Sequence, residues 1–282
     1  MPDKDLFTLR TEHFTIEGRS RAGHESYFRI RELGVVLDIG RCPDEAVGVP
    51  NLFITHAHLD HALGIPFYAG QRRLQRIPGG RVVVPREAAD DFRALMALHE
   101  KLEDVRYDIE IVGIAAGEAV ACGRTHEVRA HQATHRVAAR AYEVLELRHR
   151  LRPEYVGRED IADLRRRGIE VAEPVRHSLL FYTGDTDRGI LETNAELFRT
   201  EVLMIECSFI ADGDQERAAH YRHIHFDDIA EFADRFENRT IVLTHFSRRY
   251  SRGFIRDEIR RRCPAAIRDR VRLALPEPLQ TL

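Results

Sequence analysis

Apolar and polar positions alternate through LFTLRTEHFTIEG, SYFRIRE and GVVLDIG over residues 6–40, with Gly18, Gly23, Gly34 and Gly40 as punctuation. That pattern predicts antiparallel strands joined by turns. Leu52, Phe53, Ile54 and Thr55 form a short apolar, β-branched run that reads as a buried strand. The spacing then predicts a helix over 67–76, a buried strand over 81–85, an amphipathic helix over 87–102 and strands over 107–114 and 119–130. AARAYEVLE reads as a further strand, and a hydrophobic strand runs into Gly184–Asp185–Thr186. EVLMIECSFIADGD holds another, with Glu206 inside its apolar run. Residues 220–236 lead into an amphipathic helix capped around Asp227 or Asp228. TIVLTHFSRRYS supplies a strong strand, followed by a helix over 254–262 and a last strand near 271–275.

The chain has 282 residues, 43% hydrophobic and 32% charged, enough for a sizeable core in one domain over 1–282. It has no internal repeats or low-complexity tracts. No 18-residue apolar run occurs, and the start MPDKDLFTLR lacks a signal-peptide core, so a cytoplasmic protein without a membrane partner is expected. Cys42, Cys122, Cys207 and Cys263 are widely spaced and read as reduced, packed residues. A net charge of −3 gives no global nucleic-acid signal. Arginine outnumbers lysine 41 to 2, a chain-wide bias that reads as genomic base composition.

The chemistry concentrates in residues 51–66, NLFITHAHLDHALGIP, where His56, His58, Asp60 and His61 follow the buried strand. Three imidazoles and a carboxylate within six residues suit a borderline divalent metal such as zinc. His56 and His58 can face one way on an extended backbone, while Asp60 and His61 point elsewhere, which suits a second metal. Glu206 is costly in an apolar strand unless it meets a cation, a metal-bound group or a proton. Other candidates are Asp185 at a strand end, His223 and His225 before a helix, and His245 with Arg249 after the 240–244 strand. Of His126, His131 and His135, any could face such a site, and His99 reads as a surface or packing residue.

His-x-His-x-Asp-His after a hydrophobic strand resembles the signature of the metallo-β-lactamase superfamily. The resemblance implies an α/β (α+β) fold, an αββα sandwich with metals at one edge between two sheets. It also implies that Asp38, closing a strand, orients the metal-binding loop, that His135 is the further histidine ligand and that Asp185 bridges. His135 followed by AARAYEVLE, Ile-Glu-Cys-Ser around Glu206, His223 and the ending His-Phe-Ser-x-Arg-Tyr at 245–250 together resemble ribonuclease Z. The match departs at Ala141 and Arg222, where that family has glycine. It departs also at Ile-Glu-Cys-Ser, where the family usually has His-Glu-Ala-Thr, so that there it rests on Glu206 and the Ser208 hydroxyl.

Ribonuclease Z proteins act as metal-dependent endoribonucleases that remove the 3′ trailer of precursor tRNA, leaving a tRNA 3′-hydroxyl and a 5′-phosphate on the trailer. The resemblance therefore implies two zinc ions, with manganese or another divalent ion as alternatives, roughly 3.5–4 Å apart. One would sit on His56, His58, His135 and Asp185, the other on Asp60, His61, Asp185 and His245. Asp60, Glu206 and His223 would be catalytic, and Arg249 would grip a phosphate. Residues 147–176 do not fit the sandwich pattern, and from 148 to 176 they hold eight arginines and six acidic residues. The resemblance implies an inserted tRNA-binding arm there, with Arg165, Arg166 and Arg167 as substrate contacts, and a homodimer. Two other activities of the same fold are a phosphodiesterase of small or cyclic nucleotides and a thioester or lactone hydrolase. The charged segment 147–176 argues against the first, and the second gives Glu206, His223 and the His-Phe-Ser-x-Arg-Tyr ending no purpose.

Overall fold

A computed structural model describes residues 6–276 and 278–282. The first half of the chain builds a seven-stranded sheet in sequential order. β1 (Phe7–Arg10), β2 (Thr15–Arg21), β3 (Glu25–Ile30) and β4 (Val35–Leu37) pair antiparallel. β4, β5 (Asn51–Phe53), β6 (Arg81–Pro85) and β7 (Glu110–Ile114) continue it in parallel. The parallel crossovers carry α1 (Leu59–Ala62), α2 (Ile65–Leu74) and α3 (Ala89–Glu103).

The second half repeats the plan. β8 (Ala119–Cys122), β9 (His126–Ala133), β10 (Ala139–Leu151) and β11 (Ala172–Tyr182) pair antiparallel. β11, β12 (Val202–Glu206), β13 (Thr240–Thr244) and β14 (Val271–Leu273) then run in parallel. Besides α4 (Ile161–Arg166) within the β10–β11 connection, the helices of this half are α5 (Gly189–Thr193), α6 (Gln215–Tyr221), α7 (Phe226–Glu231) and α8 (Arg252–Arg262).

Side-chain alternation along the parallel strands sets the layers. Val35, Leu37, Phe53 and Val83 of the first sheet join Tyr142, Val144, Leu180, Met204 and Val242 of the second in one buried core between the sheets. The residues between them point the other way: Val36, Leu52, Val82 and Val84 pack on Tyr68, Phe92 and Met96. On the far side Leu203, Ile205, Ile241 and Leu243 meet Ile229, Ile255 and Ile259. Strands buried on both faces need apolar residues at every position, which is why these segments read as continuous runs. The result is a four-layer αββα sandwich.

One expectation is corrected. The 119–130 strand is a hairpin of β8 and β9 with Cys122 opposite His126, turned at Gly123 in the left-handed region (φ 75°). The segment 147–176 is a hairpin that runs beyond its neighbours: residues 147–151 pair with 172–176, whereas β9 stops opposite Glu146 and β12 pairs with β11 only from Leu180. Only residues 152–171, holding α4, form a tip. Arg150–Glu173 (2.8 Å) and Arg152–Glu170 (3.2 Å) are ion pairs across this hairpin. Charge of both signs is what neighbouring exposed strands need.

Candidate metal centre

Parallel strands of both sheets deliver the polar side chains from their C-terminal ends, at one edge of the sandwich. β4 ends at Asp38, whose backbone turns into the left-handed region (φ 56°). Its buried carboxylate accepts from the Thr55 backbone N–H (2.7 Å), His61 Nδ1 (2.7 Å) and the Tyr182 hydroxyl (2.8 Å). That places a fully hydrogen-bonded anion under the histidine loop, as the resemblance implied for Asp38. β5 runs through Thr55 to His56, and His58 stands at the N-terminal cap of α1, which swings Asp60 and His61 a turn further on. Opposite, β11 runs into Gly184 and Asp185. Gly184 has φ 57°, and a Cβ there would lie 2.5–2.9 Å from Thr55 side-chain atoms. Glycine is what lets the two sheet edges close this tightly.

Three overlapping ligand groups result, two of them built on the histidine loop and a third of Asp185, His223 and His245. His56, His58, His135 and Asp185 bring one donor atom each to within 4.8 Å of one another, and Asp60, His61 and His245 do the same. Asp185 stands between them: Oδ2 is 3.7 Å from His56 Nε2, and Oδ1 is 3.4 and 3.3 Å from Nε2 of His61 and His245. Yet Asp185 Oδ1 is a buried oxygen that has no hydrogen bond among the described residues. Ring nitrogens also face ring nitrogens, at 3.0 Å for His56 Nε2 and His58 Nδ1 and 3.3 Å for His58 Nδ1 and His135 Nε2. An orphaned carboxylate oxygen amid converging imidazole lone pairs suits divalent cations.

The opposite ring nitrogens set the tautomers. His135 Nδ1 lies 3.1 Å from the Arg222 carbonyl, which can only accept, so Nδ1 carries the proton and Nε2 faces inward. His61 donates from Nδ1 to Asp38, which turns Nε2 inward toward Asp185. Burial would raise the Asp60 carboxyl, but its hydrogen bond to His245 and the charges on His61 and His245 bring it down to about 2. Burial likewise opposes ionisation of Asp185, and the charges of His245, His61 and His56 overcome it.

A second polar group lies against the first. Glu206, at the end of β12, receives Thr186 N–H (2.8 Å) and His223 Nδ1 (2.8 Å) on Oε1 and Ser208 Oγ (2.7 Å) on Oε2. The cost of an ion in an apolar strand is thus offset by a full set of donors. Since the Ser208 hydroxyl donates to Glu206, it accepts from His245 Nδ1 at 2.9 Å. His223 packs its ring 5.1 Å from His135 and 5.4 Å from His245. Burial would push its pKa down; the charge and hydrogen bond of Glu206 more than reverse this and bring it to about 9.

This pair makes a prediction for the metal-free protein. His223 should titrate near 9 by NMR, and in Glu206→Gln it should fall below its ordinary 6.5, because burial then acts without the carboxylate. The folded pKa being raised, the pair's stabilisation is complete below about 6.5 and is lost as pH rises through about 9. The melting-temperature gap between the two proteins should therefore close on the alkaline side. A gap that widens above pH 9 contradicts the pairing.

The remaining candidates go elsewhere. His131 pairs with Glu143 (2.9 Å) and packs on Phe181. His225 caps α7, accepting from Asp227 N–H. His126 meets Thr125 Oγ1, and His99 lines an exposed groove with Phe67 and Leu74. Arg249 is exposed on the turn after β13. Arg165, Arg166 and Arg167 are exposed on the hairpin tip, where Arg166 pairs with Asp163. Sequence reasoning missed Tyr182 beneath Asp38, Ser20, which accepts the His245 backbone N–H (3.0 Å), and the Arg222 contacts to His135. Tyr182 alone carried a signal in the sequence, standing directly before the Thr-Gly-Asp turn.

A four-layer sandwich with two His/Asp ligand groups meeting at one carboxylate defines a metallo-β-lactamase-type protein, and the model of the Beta-lactamase superfamily domain matches residues 39–246. Among solved structures, the metallo-beta-lactamase fold protein YhfI from Bacillus subtilis superposes with a TM-score of 0.65 at 12% identity, over 96% of each chain. The short form of human tRNase Z superposes with a TM-score of 0.61 at 19% identity, over 87% of this chain and 93% of that one. tRNase Z TRZ1 of Arabidopsis thaliana is 32% identical over 277 residues, 96% of this chain and 94% of the relative. The chloroplastic tRNase Z TRZ2 of that plant is 32% identical over 256 residues, 89% of this chain and 72% of the relative. The chain belongs to the ribonuclease Z (tRNase Z) family.

Proposed function

We propose that the protein is a metal-dependent endoribonuclease that removes the 3′ trailer of precursor tRNA. The observation that carries this reading is the Glu206–His223 pair set against two ligand groups that share Asp185; its relatives are named for tRNA processing. The ions are two zinc, with manganese or another divalent ion as substitutes; when bound they supply charge at the reacting phosphate and an activated water. Asp60, ionised and anchored by Gly23 N–H (2.7 Å), accepts a hydrogen bond from the attacking water and orients it. His223, protonated through Glu206, donates its proton to the departing 3′ oxygen. The products are a tRNA 3′-hydroxyl and a trailer with a 5′-phosphate. Arg249 is exposed beside the site and grips a phosphate near the cut.

The tip over 152–171 serves as the tRNA-binding arm, where Arg165 and Arg167 stand exposed with no ion pair among the described residues. The protein works as a homodimer. Leu63, Phe67, Leu74, Leu98 and Leu102 stay exposed on α2, α3 and the turn before them, an apolar surface that supports a partner copy.

The test is cleavage of a labelled precursor tRNA beside bis-p-nitrophenyl phosphate, with metal content and molecular mass measured on the same sample. We expect a cut at the trailer junction, about two metals per chain and a dimeric mass; a monomer with full activity removes the dimer from the reading. Neutralising Arg165, Arg166 and Arg167 should weaken tRNA binding and flatten its salt dependence, by about 0.7–0.9 log units for each phosphate that the tip no longer neutralises. Turnover of bis-p-nitrophenyl phosphate, too small to touch the tip, should persist. If tRNA cleavage is unchanged at ~150 mM salt, the tip is no clamp and a small phosphodiester becomes the better substrate.

A further inference from the structure

Arg222 ends α6 with its backbone in the left-handed region (φ 57°, ψ 55°). Glycine adopts that conformation at least cost, and a side chain there is held against a local penalty. Arg222 uses its side chain. Its guanidinium Nη1 donates to the His135 carbonyl at 3.0 Å, while its own carbonyl accepts from His135 Nδ1 at 3.1 Å. One residue therefore holds a metal-ligand candidate by ring and by main chain, across a separation of 87 positions.

The neighbours on both sides extend the connection. Arg136, next to His135, stacks its guanidinium 4.9 Å from the ring of Tyr221, next to Arg222. On the other side His223 is tied by its N–H to the Ala218 carbonyl (2.9 Å) and by Nδ1 to Glu206 (2.8 Å). The loop that carries His135 and the loop that carries His223 are thus fastened to each other at Arg222.

We propose that Arg222 is a positioning residue: its side chain pins the His135 main chain so that the imidazole stays aimed at the first ligand group and in register with the proton donor His223. The proposal rests on the reading of this site as a metal-dependent phosphodiesterase centre. Without the guanidinium, Arg222 holds His135 through its carbonyl alone, and glycine frees the backbone that presents that carbonyl. Groups that aim a metal ligand in this way ordinarily cost on the order of 10–100-fold in affinity or rate when removed.

The discriminating variant is Arg222→Gly, because glycine suits the left-handed backbone at this position while it removes the guanidinium. The metal-free variant should melt at or above the wild-type temperature. It should nevertheless bind cobalt(II), used as a visible probe, about 10–100-fold more weakly, with an altered absorption spectrum in the cobalt-loaded protein. Turnover of bis-p-nitrophenyl phosphate should drop in kcat with little change in KM, since the clamp grips protein rather than substrate. Wild-type cobalt affinity and spectrum in Arg222→Gly overturn the proposal, as does a lowered melting temperature that accounts for the loss by misfolding. Failure of the wild-type protein to cut precursor tRNA would bear on the proposed substrate alone, because the cobalt titration reads the clamp without RNA.

Discussion

Asp185→Ala is expected to abolish phosphodiester cleavage and to lower bound metal in both ligand groups at once. Its carboxylate sits 3.3–3.7 Å from ring nitrogens of His56, His61 and His245, and among the described residues its Oδ1 has no hydrogen bond to give up. Alanine would leave those imidazoles facing each other across a void without the anion that sets their charge balance. Removing a single electrostatic stabiliser from a reacting centre costs about 10²–10³ in rate, and this one serves two ligand groups, so a larger loss is expected on RNA and on bis-p-nitrophenyl phosphate alike. Metal analysis of the purified variant beside both assays checks it. Full activity in an Asp185→Ala protein that retains no metal would sink the dinuclear mechanism.

His223→Ala is expected to separate proton donation from metal binding. His223 Nδ1 bonds to Glu206, and His223 is in neither the His56 nor the Asp60 ligand group, although it also clusters with Asp185 and His245; with Glu206 as its partner the variant should keep its metals. RNA cleavage should slow by about 10²–10⁴, the usual worth of a general acid, because a ribose 3′ oxygen leaves poorly without a proton. A p-nitrophenolate leaves well unaided, so bis-p-nitrophenyl phosphate should suffer much less. Equal losses on the two substrates would assign His223 to positioning or folding. Its closeness to Asp185 and His245 makes the metal measurement an essential arm of the test.

What was legible in the sequence was whatever the chain keeps contiguous. His56 to His61 declare themselves because a buried strand feeds them into one turn, and Gly184–Asp185 and His245 because each closes an unmistakable apolar run. Glu206 was legible through its misfit with its neighbours. The groups that hold these residues in place were not, because they come from across the sheets. Nothing in the spacing of Ser20 and His245, or of Asp38 and Tyr182, says that they touch, and only packing brings them together. The 147–176 segment was legible as lying outside the sandwich, but its strand pairing was not. Its charges marked an exposed segment, and only the structure shows Arg150 and Glu173 paired across its two strands. Arg222 looked like a lost glycine until its guanidinium was seen against His135.

The partition of ligands between the two sheets bears on how the chain acquires its function as it is made. His56, His58, Asp60 and His61 belong to the first sheet, His135, Asp185 and His245 to the second. A nascent chain ending before β11 therefore has neither the shared carboxylate nor His245, and neither ligand group is complete. The second group closes only when β13, the last strand but one, has docked beside β12. Tight capture of metal thus comes late in synthesis, after both halves have packed over their common core. On the proposed ligand assignment, ions bound there would act as a clasp on a finished sandwich rather than as a nucleus for it, and their binding energy would add to the cohesion between the halves.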